Sequence, residues 1–476
     1  MKRNPSLIVA CLLTAVLSTS ASFAEWKYDP ESQTLTDGVW KFKATQVVVN
    51  KNSTENLIVD AEKGAGEGVF KGEEGAAYPI DFTEISDDSG NMYYVQEFKN
   101  FSTNSGNGTT PITDKISQFI APDCITLGGN GCFYNCKNLT KVKLSDDFKN
   151  FADRSFVNCT SLVDFSPRTF AKATKVAIGS FAGCSSLAGE FSFPECTQVG
   201  EGVFNGCTNL KSVKMPKLKV IEASVFKNCT NLEYVEFSKD LYKISTGAFL
   251  GCASLPGDII RSLLHPGIKN FGKNDTDVKD VFTGCLSLDG TLEWNFELES
   301  TNVVGASFFS GCTSLQKFIF KSYVFEIRGA ALLNLAPGAE IYLHPEPVKN
   351  LAATALGRNK GPFSKVYIGE ENFDAWTNVI DKTYHIMPKK DFNNPNWWEY
   401  AADSTHKREQ DDMLRRMKED PEMALFDEST GRITVKQKGV VAFCMEYKSG
   451  NDTGANTAGC FWLLKRPKVG LTVKVR

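Results

Sequence analysis

The sequence predicts a solenoid built mainly from short parallel β-strands with turns and short helical pieces. A β-rich cap precedes the solenoid, and a small α+β tail follows it. Three observations predict this fold class. One seven-residue pattern occurs eight times, its copies follow one another at nearly constant intervals, and apolar and polar residues alternate after each copy. Units this short bury their apolar edges only by stacking on their neighbours.

The repeated pattern is Phe-x-x-Cys-x-x-Leu, and successive cysteines are separated by 23, 25, 23, 22, 23, 33 and 27 residues. A period in the low twenties is typical of a leucine-rich-repeat solenoid. The two longest steps indicate insertions, and the apolar run 259–264 within the longest step predicts a short helix. The eight cysteines of the pattern are Cys136, Cys159, Cys184, Cys207, Cys229, Cys252, Cys285 and Cys312.

A strand is predicted after each leucine of the pattern. Val142 and Leu144 are separated by a lysine, and Val213 and Met215 are separated in the same way. A period of two over so short a run is typical of a strand with one buried face. The residues between the apolar positions therefore point to the opposite side and form the exposed surface of the stack.

The equivalent position of the eight cysteines predicts a buried, stacked row of free thiols, because free cysteine is among the most buried residue types. Neighbouring strands lie only about 4.8 Å apart, so disulfides between turns remain an alternative for an exported chain. Disulfides between turns would break the equivalence of successive turns, so the regular repeat favours free thiols. We also expect a serine at Cys207 to place a poorly partnered hydroxyl in the core.

Residues 1–24 are typical of a secretory signal, with Lys2 and Arg3, then an apolar run, then a small-x-small cleavage site. A lipoprotein cleavage site at Cys11 is the alternative, although only ten residues precede that cysteine. With cleavage before Glu25, the 53 basic residues become 51, the 56 acidic residues stay, and the net charge changes from −3 to −5. This balance argues against a nucleic-acid partner. The mature chain has no apolar run long enough to span a membrane.

Four segments are predicted: a signal peptide at 1–24, a β-rich N-terminal cap unit at 25–115, the solenoid at 116–380 and a C-terminal module at 381–476. A cap is expected because the first turn of a solenoid otherwise exposes an apolar edge. The C-terminal module combines a charged, helix-prone stretch at 404–417 with strand-like segments. It is either a second cap or a module that retains the protein at a surface.

No catalytic or metal-binding motif is present, so we predict no catalytic residue, no metal and no cofactor. The histidines lack metal-type spacing, and no hydrolase, metalloprotease or phosphate-binding pattern occurs. The cysteines outside the repeated position make no C-x-x-C pair of the zinc-binding type. The residues without such a pattern are His265, His344, His385, His406, Cys132, Cys444 and Cys460.

The outward strand positions form the candidate binding surface. They combine both signs of charge with an aromatic residue, which suits a protein or glycan partner better than a nucleic acid. Tyr234 is the strongest single candidate, because tyrosine, tryptophan and arginine are enriched among interface anchors. Ordinary solvated strand residues are the simpler interpretation of each position. The candidates are Lys141, Lys143, Asp164, Lys214, Tyr234, Glu236, Glu293 and Lys317.

Units of the form Cys-Thr-Asn-Leu-x-x-Val-x-Phe, preceded by Ile-x-x-x-x-Phe-x-x-Cys, resemble the BspA-type leucine-rich repeats of bacterial surface proteins. The resemblance covers about residues 116–380, although the cysteine is missing after Leu315. It implies a curved solenoid in an exported protein that binds an extracellular protein or glycan. A structural spacer that presents the C-terminal module is the alternative, and a secreted hydrolase is a third hypothesis.

Overall fold

A computed structural model describes the chain from residue 25 onwards, with gaps. The predicted signal peptide at 1–24 and the charged stretch at 404–417 lie outside the described residues. The described ranges are 25–47, 56–61, 70–73, 75–102, 112–271, 279–296, 298, 302–352, 354–357, 362–380, 385–387, 424–427, 432–435, 439–444 and 458–465.

Within these ranges the chain is almost entirely β-structure, with two short α-helices and one 3-10 helix. The first strands are β1 (Trp26–Asp29), β2 (Thr34–Thr36), β3 (Lys41–Val47), β4 (Asn56–Asp60), β5 (Tyr78–Asp81), β6 (Ile85–Ser86), β7 (Tyr94–Lys99), β8 (Ile116–Ile120) and β9 (Thr126–Gly128). The next are β10 (Lys141–Lys143), β11 (Asp164–Ser166), β12 (Lys175–Val176), β13 (Gly189–Ser192), β14 (Gln198–Val199), β15 (Leu210–Met215), β16 (Val220–Ile221), β17 (Tyr234–Phe237) and β18 (Lys243–Ile244), followed by α1 (Gly257–Leu263). Then come β19 (Gly290–Trp294), β20 (Val303–Val304), β21 (Leu315–Phe320), β22 (Glu326–Ile327), β23 (Leu332–Leu333), β24 (Glu340–Tyr342), β25 (Asn350–Leu351), β26 (Leu356–Gly357) and β27 (Ser364–Ile368). The last elements are the 3-10 helix Glu370–Asn372, α2 (Phe373–Ile380), β28 (His385–Met387), β29 (Ala424–Asp427), β30 (Arg432–Val435), β31 (Gly439–Cys444) and β32 (Ala458–Lys465).

The N-terminal strands form a β-rich unit that leads directly into the solenoid. Strands β1 to β4 are an antiparallel meander, β4 then pairs in parallel with β7, and β7 pairs in parallel with β9. Phe98 of β7 stacks on Phe133, the phenylalanine of the first repeat, with ring centroids 5.6 Å apart. Parallel stacking therefore begins before residue 116, within the segment that the sequence assigns to the cap.

One short strand from each turn contributes to a parallel sheet along the solenoid, which we call the front sheet. Its strands are in register from turn to turn, so that Val142 lies beside Phe165 and Val213 lies beside Val235. These four side chains are buried. The predicted parallel-stranded solenoid is thus confirmed. The strands of the front sheet are β5, β8, β10, β11, β13, β15, β17, β19, β21, β24, β27 and β32.

A second row of two- or three-residue strands follows the front strand in each turn, and we call this row the lateral ladder. Its strands also pair in parallel, as Lys175 with Gln198 and Val220 with Lys243. The two rows bound one interior, so the apolar side chains of both contribute to a single core. The strands of the lateral ladder are β9, β12, β14, β16, β18, β20, β22 and β25.

The phenylalanines of the repeated pattern form a continuous stack through this core. Neighbouring ring centroids are 5.3–5.8 Å apart, and their planes differ by 2–13°. Such stacking adds to the free energy gained by burying each ring. The members of this phenylalanine stack are Phe133, Phe156, Phe181, Phe204, Phe226, Phe249, Phe282 and Phe309.

The eight cysteines of the pattern are buried and free, and they lie in one row beside the phenylalanine stack. From Cys159 onwards, each thiol donates a hydrogen bond of 3.0–3.4 Å to the carbonyl oxygen of the stacked phenylalanine one turn earlier. Cys207 Sγ, for example, lies 3.1 Å from Phe181 O. A serine at Cys207 would lie near the same carbonyl, so the poor partnering expected for its hydroxyl stays a prediction that a stability measurement tests.

A left-handed residue before each cysteine sets the path of the turn. Asn135 and Asn158 have φ values of 60° and 58°, and Gly183 has 76°. Glycine and asparagine adopt this conformation most readily. The backbone N–H groups then point along the stack, so that Asn158 N donates to Ala182 O at 2.7 Å. Local sequence thus fixes the turn, and the turn aligns the next front strand.

The C-terminal end continues this path without cysteine. Leu335 occupies the cysteine position and Leu332 the phenylalanine position, and Asn334 between them has a φ of 59°. Strand β32 then pairs in parallel with β27, the last front strand of the repeats. Residues Phe461 to Leu464 of β32 are buried, and the sheet continues beyond β32 through the antiparallel strands β31 and β28.

Candidate ligand-binding surface

All eight candidate surface residues lie on strands of the front sheet, on the side opposite the core. Each immediately precedes or follows a buried strand residue, as Lys141 and Lys143 flank Val142. They do not form one continuous surface, because the front sheet is interrupted twice. The candidates therefore fall into an N-terminal, a central and a C-terminal patch.

The N-terminal patch consists of Lys141, Lys143 and Asp164 on β10 and β11. Lys141 and Asp164 are directly opposite in the register, and Lys141 Nζ lies 3.3 Å from Asp164 Oδ2. Both side chains are largely exposed, so this ion pair contributes little to stability. Its charges are mutually compensated, which leaves Lys143 as the exposed basic group of the patch.

The central patch consists of Lys214, Tyr234 and Glu236 on β15 and β17. Lys214 lies beside Glu236 in the register, and its Nζ lies 5.8 Å from the centroid of the Tyr234 ring. The ring is held by this contact and by the sheet beneath it, yet 39% of Tyr234 is exposed. Ser212, the register neighbour of Tyr234, is buried, and its hydroxyl has no partner among the described residues. A rigid aromatic residue with charged neighbours is a favourable anchor for a partner.

The C-terminal patch is an interlinked group on β21 and β24. Lys317 Nζ lies 2.9 Å from Glu340 Oε2 and 5.1 Å from the centroid of the Tyr342 ring, and the Tyr342 hydroxyl donates to Glu340 Oε2 at 3.1 Å. The hydrogen bond from Lys317 to Glu340 raises the pKa of that lysine. Glu293, the remaining candidate, forms an ion pair of 3.4 Å with Lys321.

Sequence reasoning missed two tyrosines that extend this patch. The rings of Tyr342 and Tyr367 stack with centroids 4.7 Å apart and planes 17° apart. Burial raises the pKa of Tyr367 to about 12. The signal was present in the sequence, because both residues alternate with apolar neighbours that the structure buries.

The two interruptions of the front sheet have different causes. Between β11 and β13, Arg168 enters the gap, where it donates to Ala188 O at 2.7 Å and lies over the Phe191 ring at 4.7 Å. Between β17 and β19, the predicted helix forms as α1, and its Arg261 donates to Asp289 O at 2.8 Å. These two arginines separate the three patches, so a ligand that contacts one patch need not contact the others.

The buried cysteines of the repeats and two histidines make structural contacts. Burial raises the pKa of Cys184 from 9.0 to about 12, so its thiol remains protonated rather than nucleophilic. His265 and His344 each accept a hydrogen bond through Nδ1 from a backbone N–H two residues later. Across the described ranges, no group of three or more His, Cys, Asp or Glu residues is placed to hold a metal ion. None of the helices described there is long and apolar enough to cross a bilayer.

The fold and this surface define the class of the protein. A turn of 22–25 residues, one parallel front strand per turn, and a recurring buried leucine are the features of a leucine-rich-repeat solenoid. Its front strands carry charged and aromatic side chains on their outer side.

Comparison with protein families assigns the repeats. A family model described as the BspA type leucine rich repeat region matches the chain with six copies, over residues 112–194, 169–264 and 278–359. The repeats of this chain are of the BspA type. No curated protein matches its sequence.

Solved structures of several bacterial proteins are similar to this chain. The leucine-rich-repeat protein TpLRR of T. pallidum has 19% identity and a TM-score of 0.34, over 53% of this chain and 97% of that protein. A leucine-rich cell surface protein of Faecalibacterium prausnitzii has 18% identity and a TM-score of 0.31, over 62% and 90%. The pneumococcal vaccine antigen PcpA has 13% identity and a TM-score of 0.27, over 74% and 96%.

Proposed function

We propose that the chain is an exported, non-catalytic recognition protein that binds an extracellular protein or glycan through the outer side of its front sheet. The observation that carries this proposal is the central patch, where Tyr234 is substantially exposed on a rigid parallel sheet beside Lys214 and Glu236. Repeats of the BspA type and a signal-like N-terminus support export to the cell surface or the medium.

A binding role fits the physical character of the front sheet. In the central patch, β15 is hydrogen-bonded to a strand on each side and β17 is hydrogen-bonded to β15, and the phenylalanine stack lies beneath them. Side chains on such a support lose little conformational freedom when a partner binds, because the backbone is already ordered. The mixture of ion pairs and tyrosines favours a partner with both polar and apolar groups over a uniformly charged polymer.

The proposal is tested with the mature chain, residues 25–476, against immobilised matrix proteins, mucins and cell-wall polymers. We expect saturable binding of at least one ligand, and we expect Tyr234→Ala to weaken it by about tenfold or more. Tyr94→Ala is the matched control, because Tyr94 is 41% exposed but lies on β7, away from the front sheet. Absence of any saturable ligand, or equal losses in the two variants, would contradict the proposal.

The alternative function, a spacer that presents the C-terminal module, predicts a different result. In that case changes at Tyr234 leave binding intact, and removal of residues 381–476 abolishes it. The pairing of β32 with β27 argues against a separate module, because this strand is an integral part of the front sheet. A full-length variant with a substituted Tyr234 therefore separates the two functions better than a truncated chain does.

A further inference from the structure

A groove lies on the lateral ladder between β14 and β16, away from the front sheet. It has a volume of about 620 Å³, within the range of about 300–1,000 Å³ that small-molecule sites occupy. Gln198, Gly200 and Val220 line its middle, Ile178 lies at one side and Tyr242 at the other. We call this feature the lateral groove.

The lateral groove exists because the lateral ladder opens at this point. Strand β12 pairs with β14 and β16 pairs with β18, but among the described residues no strand pairing or bridge joins β14 to β16. Gly200 N donates to Val176 O and Ser245 N donates to Ile221 O, each at 2.9 Å. Among the described residues, Glu222 N makes no equivalent hydrogen bond to Val199 O. Glu222 N and Val199 O, whose equivalents are paired elsewhere in the ladder, therefore lack this pairing, and both residues line the groove.

Two exposed apolar side chains lie on opposite sides of the lateral groove. Ile178 is 43% exposed and Tyr242 is 44% exposed, and few other large apolar residues in the described ranges are so accessible. Between them lie Gln198, Gly200 and Val220, so the lining combines a polar amide with apolar side chains.

The charges around the lateral groove are balanced. Lys217 Nζ lies 2.6 Å from Glu195 Oε2, and Lys219 Nζ lies 3.2 Å from Asp240 Oδ2. Both lysines line the groove together with Lys175, Glu201 and Glu222, and the charges of Lys217 and Lys219 are compensated by acids outside its lining. A sulfated or phosphorylated polymer would have to compete with these carboxylates, so charge complementarity favours a neutral ligand.

An inserted peptide strand is excluded by distance. Cα atoms of β14 and β16 approach within 8 Å of each other. A strand paired on both sides needs about 9.6 Å between its neighbours, because strands in a sheet are about 4.8 Å apart. The available backbone groups must therefore be reached by small donors and acceptors rather than by another main chain.

We propose that the lateral groove binds a short neutral oligosaccharide, with one sugar ring against Tyr242 and its hydroxyls on Gln198 and the unpaired backbone groups of β14 and β16. Hydroxyl groups both donate and accept hydrogen bonds, so they match a lining that exposes donors and acceptors together. The apolar face of a sugar ring packs against an aromatic ring without requiring charge. This site is separate from the central patch on the front sheet and does not depend on it.

The experiment is a calorimetric titration of the mature chain, residues 25–476, with maltotriose, cellotriose and tri-N-acetylchitotriose. We expect at least one of them to bind saturably, with little change in affinity between about 50 mM and about 500 mM salt. Tyr242→Ala should weaken that binding by about tenfold or more. Tyr94→Ala is the matched control and should leave it unchanged, because its exposure is similar and it lies on β7, outside both the front sheet and the lateral groove. Thermal melts of both variants establish that the fold is retained.

Each other outcome overturns the inference. These outcomes are no saturable trisaccharide, binding only of a sulfated oligosaccharide with steep salt dependence, binding only of a peptide, or equal losses in the two tyrosine variants. If a matrix or mucin ligand still binds through Tyr234, the proposed function stands while the lateral groove fails. If a trisaccharide binds through Tyr242 and no ligand depends on Tyr234, the lateral groove is a binding site and the proposed function of the front sheet fails.

Discussion

Two stretches of the solenoid follow the same backbone path with different interiors. Between Phe133 and Cys312 each turn contains a stacked phenylalanine and a buried thiol, whereas the following turn has Leu332 and Leu335 in their places. The left-handed residue is unchanged, with a φ of 59° at both Asn228 and Asn334. The same turn residue thus accompanies two interiors, and the thiol hydrogen bond to the carbonyl one turn earlier is present in only one of them.

The largest expected difference between the two stretches is their response to alkaline pH. Eleven buried free thiols lie between Cys124 and Cys312 in the described residues, and burial raises the pKa of Cys207 well above 9.0. The folded state keeps these protons when the unfolded chain begins to lose them at about pH 8.5. The contribution of these thiols to the free energy of unfolding is therefore fully present below about pH 8.5. Above it, the free energy of unfolding falls by up to about 1.4 kcal/mol for each thiol and each pH unit.

Urea denaturation between pH 7 and about pH 10 checks this prediction, together with limited proteolysis to locate the first cleavage. We expect the first cuts within 124–312 rather than within 332–368, where the repeat position holds leucine. Cys207→Ala is the control, because removing one thiol should reduce the dependence on pH by the contribution of one proton. A free energy of unfolding that does not change with pH would contradict the prediction.

The next effect concerns the phenylalanine stack. Phe204 is fully buried and stacks on Phe181 at 5.5 Å and on Phe226 at 5.8 Å. We expect Phe204→Ala to lower the free energy of unfolding by about 3–5 kcal/mol, measured by chemical denaturation. Phe204→Leu, which imitates Leu332, should cost less because it retains most of the apolar volume while losing both ring contacts. Equal losses for the two variants would mean that the stack itself contributes nothing.

A smaller effect is expected from Cys207→Ser. Burying a hydroxyl costs more than burying a thiol, but the serine can donate to Phe181 O, which now accepts from Cys207 Sγ at 3.1 Å. We therefore expect a loss of about 1–2 kcal/mol in the free energy of unfolding. Cys207→Val is the matched variant, because it fills the position without any donor. If valine is the less damaging of the two, the hydrogen bond has little value relative to apolar packing.

The sequence predicts the repeated part of the molecule well because each repeat contacts another copy of itself about 23 residues away. Front strands, buried Val213 and helix α1 all follow from local patterns. The pairing of β32 with β27 does not, because it joins residues about 100 positions apart that share no repeat. The lateral groove could not be predicted either, because the turns on either side of it carry the same sequence pattern as their neighbours. The alternation of apolar and polar residues could have identified Tyr342 as a surface residue, whereas no sequence pattern predicts that Arg168 enters the sheet.

The smallest effect tests the conserved turn geometry directly, at a second left-handed position five residues before each repeat cysteine. This position is Gly202 with a φ of 63° in one turn and Ala330 with a φ of 57° in the leucine-containing turn. Alanine is strained in this conformation, so Ala330→Gly should raise the free energy of unfolding by about 1 kcal/mol. Gly202→Ala should lower it by a similar amount, because an added Cβ would meet only Asn205 Cβ at 3.8 Å and the loss reports backbone strain alone. Changes of opposite sign and equal size in the free energy of unfolding, measured by chemical denaturation, would show that both stretches have the same turn conformation. A loss of stability in Ala330→Gly would show that they do not.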